Sequence, residues 1–147
     1  MYIADKQGIR GTPMDKRILV VDDDQAVRAS LAANLTLAGY HVICAASGEA
    51  ALGTLESCAD TELAIIDVNM PGMDGLTLLE QIRFLFPQVK AIMLTGAPSS
   101  DVLGRAWQYG ALATLVKPVS CRELFGKIEE AFAADCCTGC SDGIASP

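Results

Sequence analysis

Four apolar runs in the sequence end in side chains that could together handle a phosphoryl group. Ile18–Val21 leads into Asp22, Asp23 and Asp24, Leu63–Ile66 into Asp67, Ala91–Leu94 into Thr95, and Leu115–Val116 into Lys117 and Pro118. Carboxylates gathered in one place repel and need a cation, and hard oxygen ligands with room for water suit Mg2+. With Mg2+ present, one carboxylate can attack phosphorus while a hydroxyl and an ammonium bind the phosphoryl oxygens. Phosphoryl transfer is mostly positioning and charge neutralisation, so that set suffices. Each residue also has a plainer use. Asp22 to Asp24 can cap a helix and favour its N-terminal dipole, and Asp24 is expected to do so. Asp67 can be a loop carboxylate, Thr95 a strand-end hydroxyl and Lys117 a solvated charge. Their joint appearance at the ends of separate runs favours a shared site.

The elements that must position these residues are short. Uninterrupted apolarity marks strands buried on both faces, as in a parallel sheet, and Val42–Ala45 is a fifth, weaker run. Helical spacing links Val27, Leu31 and Leu35 ahead of Gly39, and Leu76, Leu79, Ile82 and Phe86 ahead of Pro87. It also links Leu124, Ile128 and Phe132 behind the capping pattern Ser120-x-x-Glu123. Shorter helices fit Gly48–Ser57 and Ser100–Tyr109, the latter with Leu103, Ala106 and Gly110 on one side and Trp107 at its border. Strand and helix thus alternate, which predicts an α/β three-layer sandwich with right-handed crossovers and helices on both faces. Sites in such sheets form at the carboxyl ends of the strands. The predicted domain covers residues 16–133, between an extension at 1–15 and a cysteine-containing tail at 134–147, both expected to be flexible.

Composition narrows the partners. A chain of 147 residues, 51% hydrophobic, holds one domain with a sizeable core. Eleven basic against 18 acidic residues give a net charge of -7, so direct binding of nucleic acid is not expected. No stretch reaches the roughly 18 apolar residues of a membrane span. Met1–Asp15 lacks the apolar run of a secretory signal, and the expectation is a cytoplasmic protein. Cys44, Cys58 and Cys121 read as small core or surface side chains. Cys137-Thr-Gly-Cys140 has a metal-like spacing without a second pair, and His41 is a distant candidate, so a thiol-bearing tail is the expectation.

The segments Arg17–Asp24, Ile66-Asp-Val-Asn-Met-Pro-Gly-Met-Asp-Gly75, Met93–Gly96 and Leu115–Pro118 closely resemble the receiver domain of bacterial response regulators. The resemblance runs from about Lys16 to Ala133. It implies a flavodoxin-like sheet of strand order 2-1-3-4-5. It also implies that Asp67 takes a phosphoryl group from a phosphohistidine on a sensor histidine kinase or phosphotransfer protein. Asp23 and Asp67 would bind Mg2+ directly with the main-chain carbonyl of Asn69, and Asp22 largely through water. Thr95 would hydrogen-bond the phosphoryl group and Lys117 would pair with it, aimed by a cis Lys117-Pro118 bond. Asn69 and Ala97 would border the path of the hydrolytic water. Phosphorylation would then alter contacts with a downstream protein or effector domain, through the face of the fourth helix, fifth strand and fifth helix. One position departs from the pattern: three residues before the lysine, receivers usually carry Tyr or Phe, and here Thr114 stands. A threonine offers less area to bury, so transmission of the signal is expected to differ. Trp107 is a candidate partner anchor on that face, or else part-buried packing.

Two other readings compete. A small phosphohydrolase of the haloacid-dehalogenase kind would need an aspartate two residues after its nucleophile, where this sequence has Asn69. Motifs of the form GxxxxGK[ST], GxGxxG and GxSxG are absent. The expectation is therefore a signalling phosphoacceptor and not an enzyme. A phosphorylation-independent interaction module would be expected to lack part of the acidic set or the lysine. The 14 residues after Ala133 are too few for a DNA-binding domain.

Overall fold

The computed structural model describes residues 16–145, with side chains for residues 16–133. Five strands and five helices alternate along the chain: β1 (Arg17–Val21), α1 (Gln25–Leu37), β2 (His41–Ala45), α2 (Gly48–Ser57), β3 (Leu63–Asp67), α3 (Gly75–Leu85), β4 (Lys90–Thr95), α4 (Ser100–Gln108), β5 (Ala113–Val116) and α5 (Cys121–Ala145). The strands form one parallel sheet in the order β2-β1-β3-β4-β5. The expectations for residues 1–15 and for the Cys137–Cys140 pair lie outside the described residues and side chains. The α5 backbone continues past Ala133 to Ala145, through most of the stretch expected to be a tail.

Alternate residues of each central strand feed opposite cores, as a period of two requires. Ile18, Val20, Leu63, Ile65, Ile92 and Leu94 pack with Leu35 of α1 and Leu124, Ile128 and Phe132 of α5. Leu19, Val21, Ala64, Ile66, Ala91 and Met93 pack on the other face with α2, α3 and Ala106 of α4. That double burial is why β1, β3 and β4 are apolar throughout. The weaker run at Val42–Ala45 is an edge strand, with His41 and Cys44 exposed.

Each crossover ends in a capping side chain. Asp24 accepts from the N–H groups of Ala26 and Val27, Ser47 from Ala50, Asp74 from Thr77, Ser99 from Val102 and Ser120 from Glu123. Such caps each stabilise a helix start by about 1 kcal/mol. At the other end of α1, Gly39 turns the chain at φ 102° and Tyr40 N–H returns to Leu35 O.

The packed face of α4 differs from the expected Leu103–Ala106–Gly110 stripe. Ala106 is buried, but its companions are Val102 and Tyr109, and Leu103 is 44% exposed. The helix stops at Gln108, and Gly110 leaves it at φ 84°, so Gly110 cannot extend the stripe. Trp107 consequently points outward and is 82% exposed.

Candidate functional site

The carboxyl ends of β1, β3, β4 and β5 converge beside the point where strand order reverses, between β1 and β3. Asp22 follows β1 and is 1% exposed. Its main chain is fixed from two sides: its N–H donates to Ala45 O at 3.2 Å, and Arg28 Nη1 donates to its carbonyl at 2.6 Å. Its carboxylate accepts the Asp24 N–H at 2.8 Å through Oδ1 and Lys117 Nζ at 3.2 Å through Oδ2. Asp67 closes β3 at 4% exposure, and its Oδ1 lies 3.1 Å from the same Nζ. Lys117 therefore stands between two buried carboxylates. The register Thr95↔Val116 brings Lys117 alongside β4, where its N–H donates to Thr95 O at 2.8 Å. The Lys117-Pro118 bond is cis. Thr95 is fully buried, and its hydroxyl oxygen accepts the Ala97 N–H at 3.0 Å.

The charges are tuned by these surroundings. Burial pushes the Asp67 carboxyl up from its ordinary value and the charge of Asp22 adds to the effect, against the opposing pull of Lys117 and the Asn69 N–H. Burial opposes the Lys117 charge as well, but its bonds and attraction to Asp67 and Asp22 win and raise its pKa.

Among the described residues, Asp22, Asp23 and Asp67 form a group that could hold a metal ion, with one carboxylate oxygen from each lying within 4.8 Å of the others. Exposed Asp23 leaves one side of the group open to water, which Mg2+ usually retains. The donor set is all oxygen, as a hard cation prefers. Saturating Mg2+ is expected to raise the melting temperature, since a hundredfold excess over Kd stabilises by about 2.7 kcal/mol. Asp23→Asn, exposed and outside the core, should remove most of that rise in differential scanning fluorimetry. A full rise in the variant would exclude this cluster as the cation site.

The residues expected to do chemistry thus lie together, while Thr114 and Trp107 lie apart from the acidic cluster. Thr114 sits half-buried in β5 opposite Met93, and Trp107 is on the outer face of α4. Arg28 and Gly75 also shape the site and were not among the expected residues. Arg28 reads as an ordinary helix-surface arginine, and only its bond to the Asp22 carbonyl gives it a part. Gly75 closes the Ile66–Gly75 motif and follows a helix cap, and both its place in that motif and a glycine at the start of a helix could have drawn attention to it.

Comparison with known proteins agrees with this fold. The response regulator receiver domain family model matches residues 18–129. Response regulator protein FleR of Pseudomonas aeruginosa is 40% identical over 111 residues, 76% of this chain and 23% of FleR. Transcriptional regulatory protein AruR of the same organism is 38% identical over 120 residues, 78% of this chain and 48% of AruR. The chain thus spans less than half the length of either relative. A receiver domain protein (CheY-like) from Methanospirillum hungatei superposes with a TM-score of 0.77 at 39% identity, covering 80% of this chain and 94% of that one. Response regulator protein TrrA from Thermotoga maritima, solved in complex with Mg2+-BeF, gives 0.71 at 34%, covering 79% and 98%.

Proposed function

Since the chain belongs to the response regulator receiver domain family, we propose that Asp67 is its phosphoacceptor, working with Mg2+ and charged by a sensor histidine kinase or phosphotransfer protein. The observation that carries this reading is Lys117 Nζ, 3.2 Å from Asp22 and 3.1 Å from Asp67 at the edge of a three-carboxylate cluster. Asp67 Oδ attacks the phosphorus of the donor. A P–O bond forms, the P–N bond of the phosphohistidine breaks, and its electron pair returns to the imidazole. Asp23, Asp67 and the Asn69 carbonyl, with Asp22 largely through water, would hold Mg2+, which would supply charge neutralisation for the phosphoryl oxygens. The Lys117 ammonium, paired with the two carboxylates, would turn to pair with the new phosphoryl group. The Thr95 oxygen already accepts from Ala97 N–H, which leaves its O–H free to donate.

Output follows from contact changes on the α4–β5–α5 face. Thr114 has little area to swing inward, so Trp107, 82% exposed on α4, is the natural anchor for a downstream partner. The domain is a signalling phosphoacceptor that assists its own phosphorylation and dephosphorylation. A cytoplasmic location belongs to the same proposal: among the described residues no helix is long and apolar enough to cross a membrane.

Intact mass after incubation with acetyl phosphate tests the chemistry. One labile phosphate per chain is expected with Mg2+ and none with a chelator. Failure to label, with Mg2+ bound, would favour a phosphorylation-independent interaction module.

A further inference from the structure

The segment from Val68 to Asp74 leaves β3 and returns to α3, carrying Asn69. Its base is fixed by two main-chain bonds of 2.8 Å, Gly75 N–H to Val68 O and Val68 N–H to Leu94 O. Its far limb rests on a different element. Met73, half-buried against the core, sits over Gly48, the buried first residue of α2. A Cβ built on Gly48 would meet Met73 Sδ at 2.6 Å and its Cβ and Cγ at 3.0 Å. Rotation about χ1 would carry Sδ and Cγ away only by unseating the Met73 side chain, and the 3.0 Å contact with its Cβ would remain, so the loop would also have to give by a few tenths of an ångström. Gly48 has no positive φ, and helix propensity favours alanine there, so backbone freedom does not explain the glycine. What it provides is space for Met73.

We propose that Met73, seated on Gly48, is a positioning residue for the cation site. The contact holds the β3–α3 loop so that the Asn69 carbonyl is presented to the Asp22–Asp23–Asp67 cluster. This inference rests on the reading of that cluster as a Mg2+ site.

Calorimetric Mg2+ titration of wild type, Gly48→Ala, Met73→Ala and the double variant tests it, alongside melting temperatures in chelator. Each single variant is expected to bind Mg2+ about tenfold more weakly, as loss of outer-shell support does elsewhere. The double variant should bind no more weakly than Met73→Ala, because truncation removes the Sδ and Cγ contacts and leaves the added methyl only the 3.0 Å contact with the Cβ of residue 73, which a shift of a few tenths of an ångström relieves. Variants that lose melting temperature but keep wild-type Mg2+ affinity would overturn the proposal, as would a double variant whose loss is the product of the two single losses. A wild-type protein that fails to bind Mg2+ overturns the cation site as well. Wild-type binding with unaffected variants overturns the positioning role alone.

Discussion

Asp67→Asn is expected to abolish phosphoryl uptake from acetyl phosphate and to leave the domain folded. The amide matches the carboxylate in shape but carries no charge and offers no nucleophilic oxygen. No other described carboxylate has the same setting. Both Asp22 and Asp67 meet Lys117, but Asp22 Oδ1 is tied to the Asp24 N–H at 2.8 Å where Asp67 accepts the Asn69 N–H at 3.4 Å, and Asp23 is exposed. The fold tolerates the change because Asp67 is 4% exposed and its ionised form is disfavoured by burial and by Asp22. Removing that charge relieves a repulsion, while Lys117 retains Asp22 as partner. In chelator the variant should therefore melt within a few degrees of wild type, by circular dichroism, while its mass shows no adduct. Uptake at the wild-type level would contradict the assignment of the acceptor.

Gly75→Ala is expected to destabilise the domain by about 3 kcal/mol, on the order of 10 °C in melting temperature. A Cβ at Gly75 would run into the Asp67 carbonyl oxygen and lie 2.7 Å from Val68 Cα and 2.9 Å from Asp67 C. These are main-chain atoms at the end of a buried strand and cannot rotate away. Moving them moves the acceptor. Gly75 N–H also bonds Val68 O at 2.8 Å, which ties the start of α3 to the strand end. Helix propensity works the other way, by about 1 kcal/mol in favour of alanine, and is outweighed. Gly53→Ala is the internal control. It lies inside α2 with nothing within 4 Å of its added Cβ, so the same substitution should stabilise by about 0.5–1 kcal/mol. Thermal melts of the two variants should therefore shift in opposite directions. A Gly75→Ala protein as stable as wild type would mean that α3 does not approach the acceptor strand this closely.

The ends of the strands, where Asp22, Asp23, Asp67, Thr95 and Lys117 fall, are legible in the sequence for one physical reason, whereas the sheet order 2-1-3-4-5 comes from the family resemblance. A parallel strand buried on both faces is apolar until it ends, so the first polar residue marks its carboxyl end. The same reasoning weakens at the edges. His41 and Cys44 are exposed in β2, and β5 begins at Ala113, before the apolar pair Leu115–Val116. The packed side of α4 is not legible, because Leu103–Ala106–Gly110 and Val102–Ala106–Tyr109 fit a helical period equally well. Only the turn at Gly110 and the contacts of Tyr109 decide between them. Contacts between distant segments are hidden for a different reason. The Arg28 bond to the Asp22 carbonyl depends on a rotamer, and the approaches at Gly75 and Gly48 depend on the angles at which α3 and α2 meet the sheet. The outward stance of Trp107 belongs to the same class, since a tryptophan at that spacing serves packing or recognition equally well.

The most direct test is to find where the phosphate goes. Borohydride reduces an acyl phosphate to an alcohol, so reduction after labelling converts the acceptor aspartate to homoserine, which peptide mass mapping locates. The expected result is homoserine in place of Asp67 alone, and only in samples given both Mg2+ and phosphodonor. Homoserine in place of Asp22 or Asp23, or at no aspartate of a labelled protein, would contradict Asp67 as the phosphoacceptor.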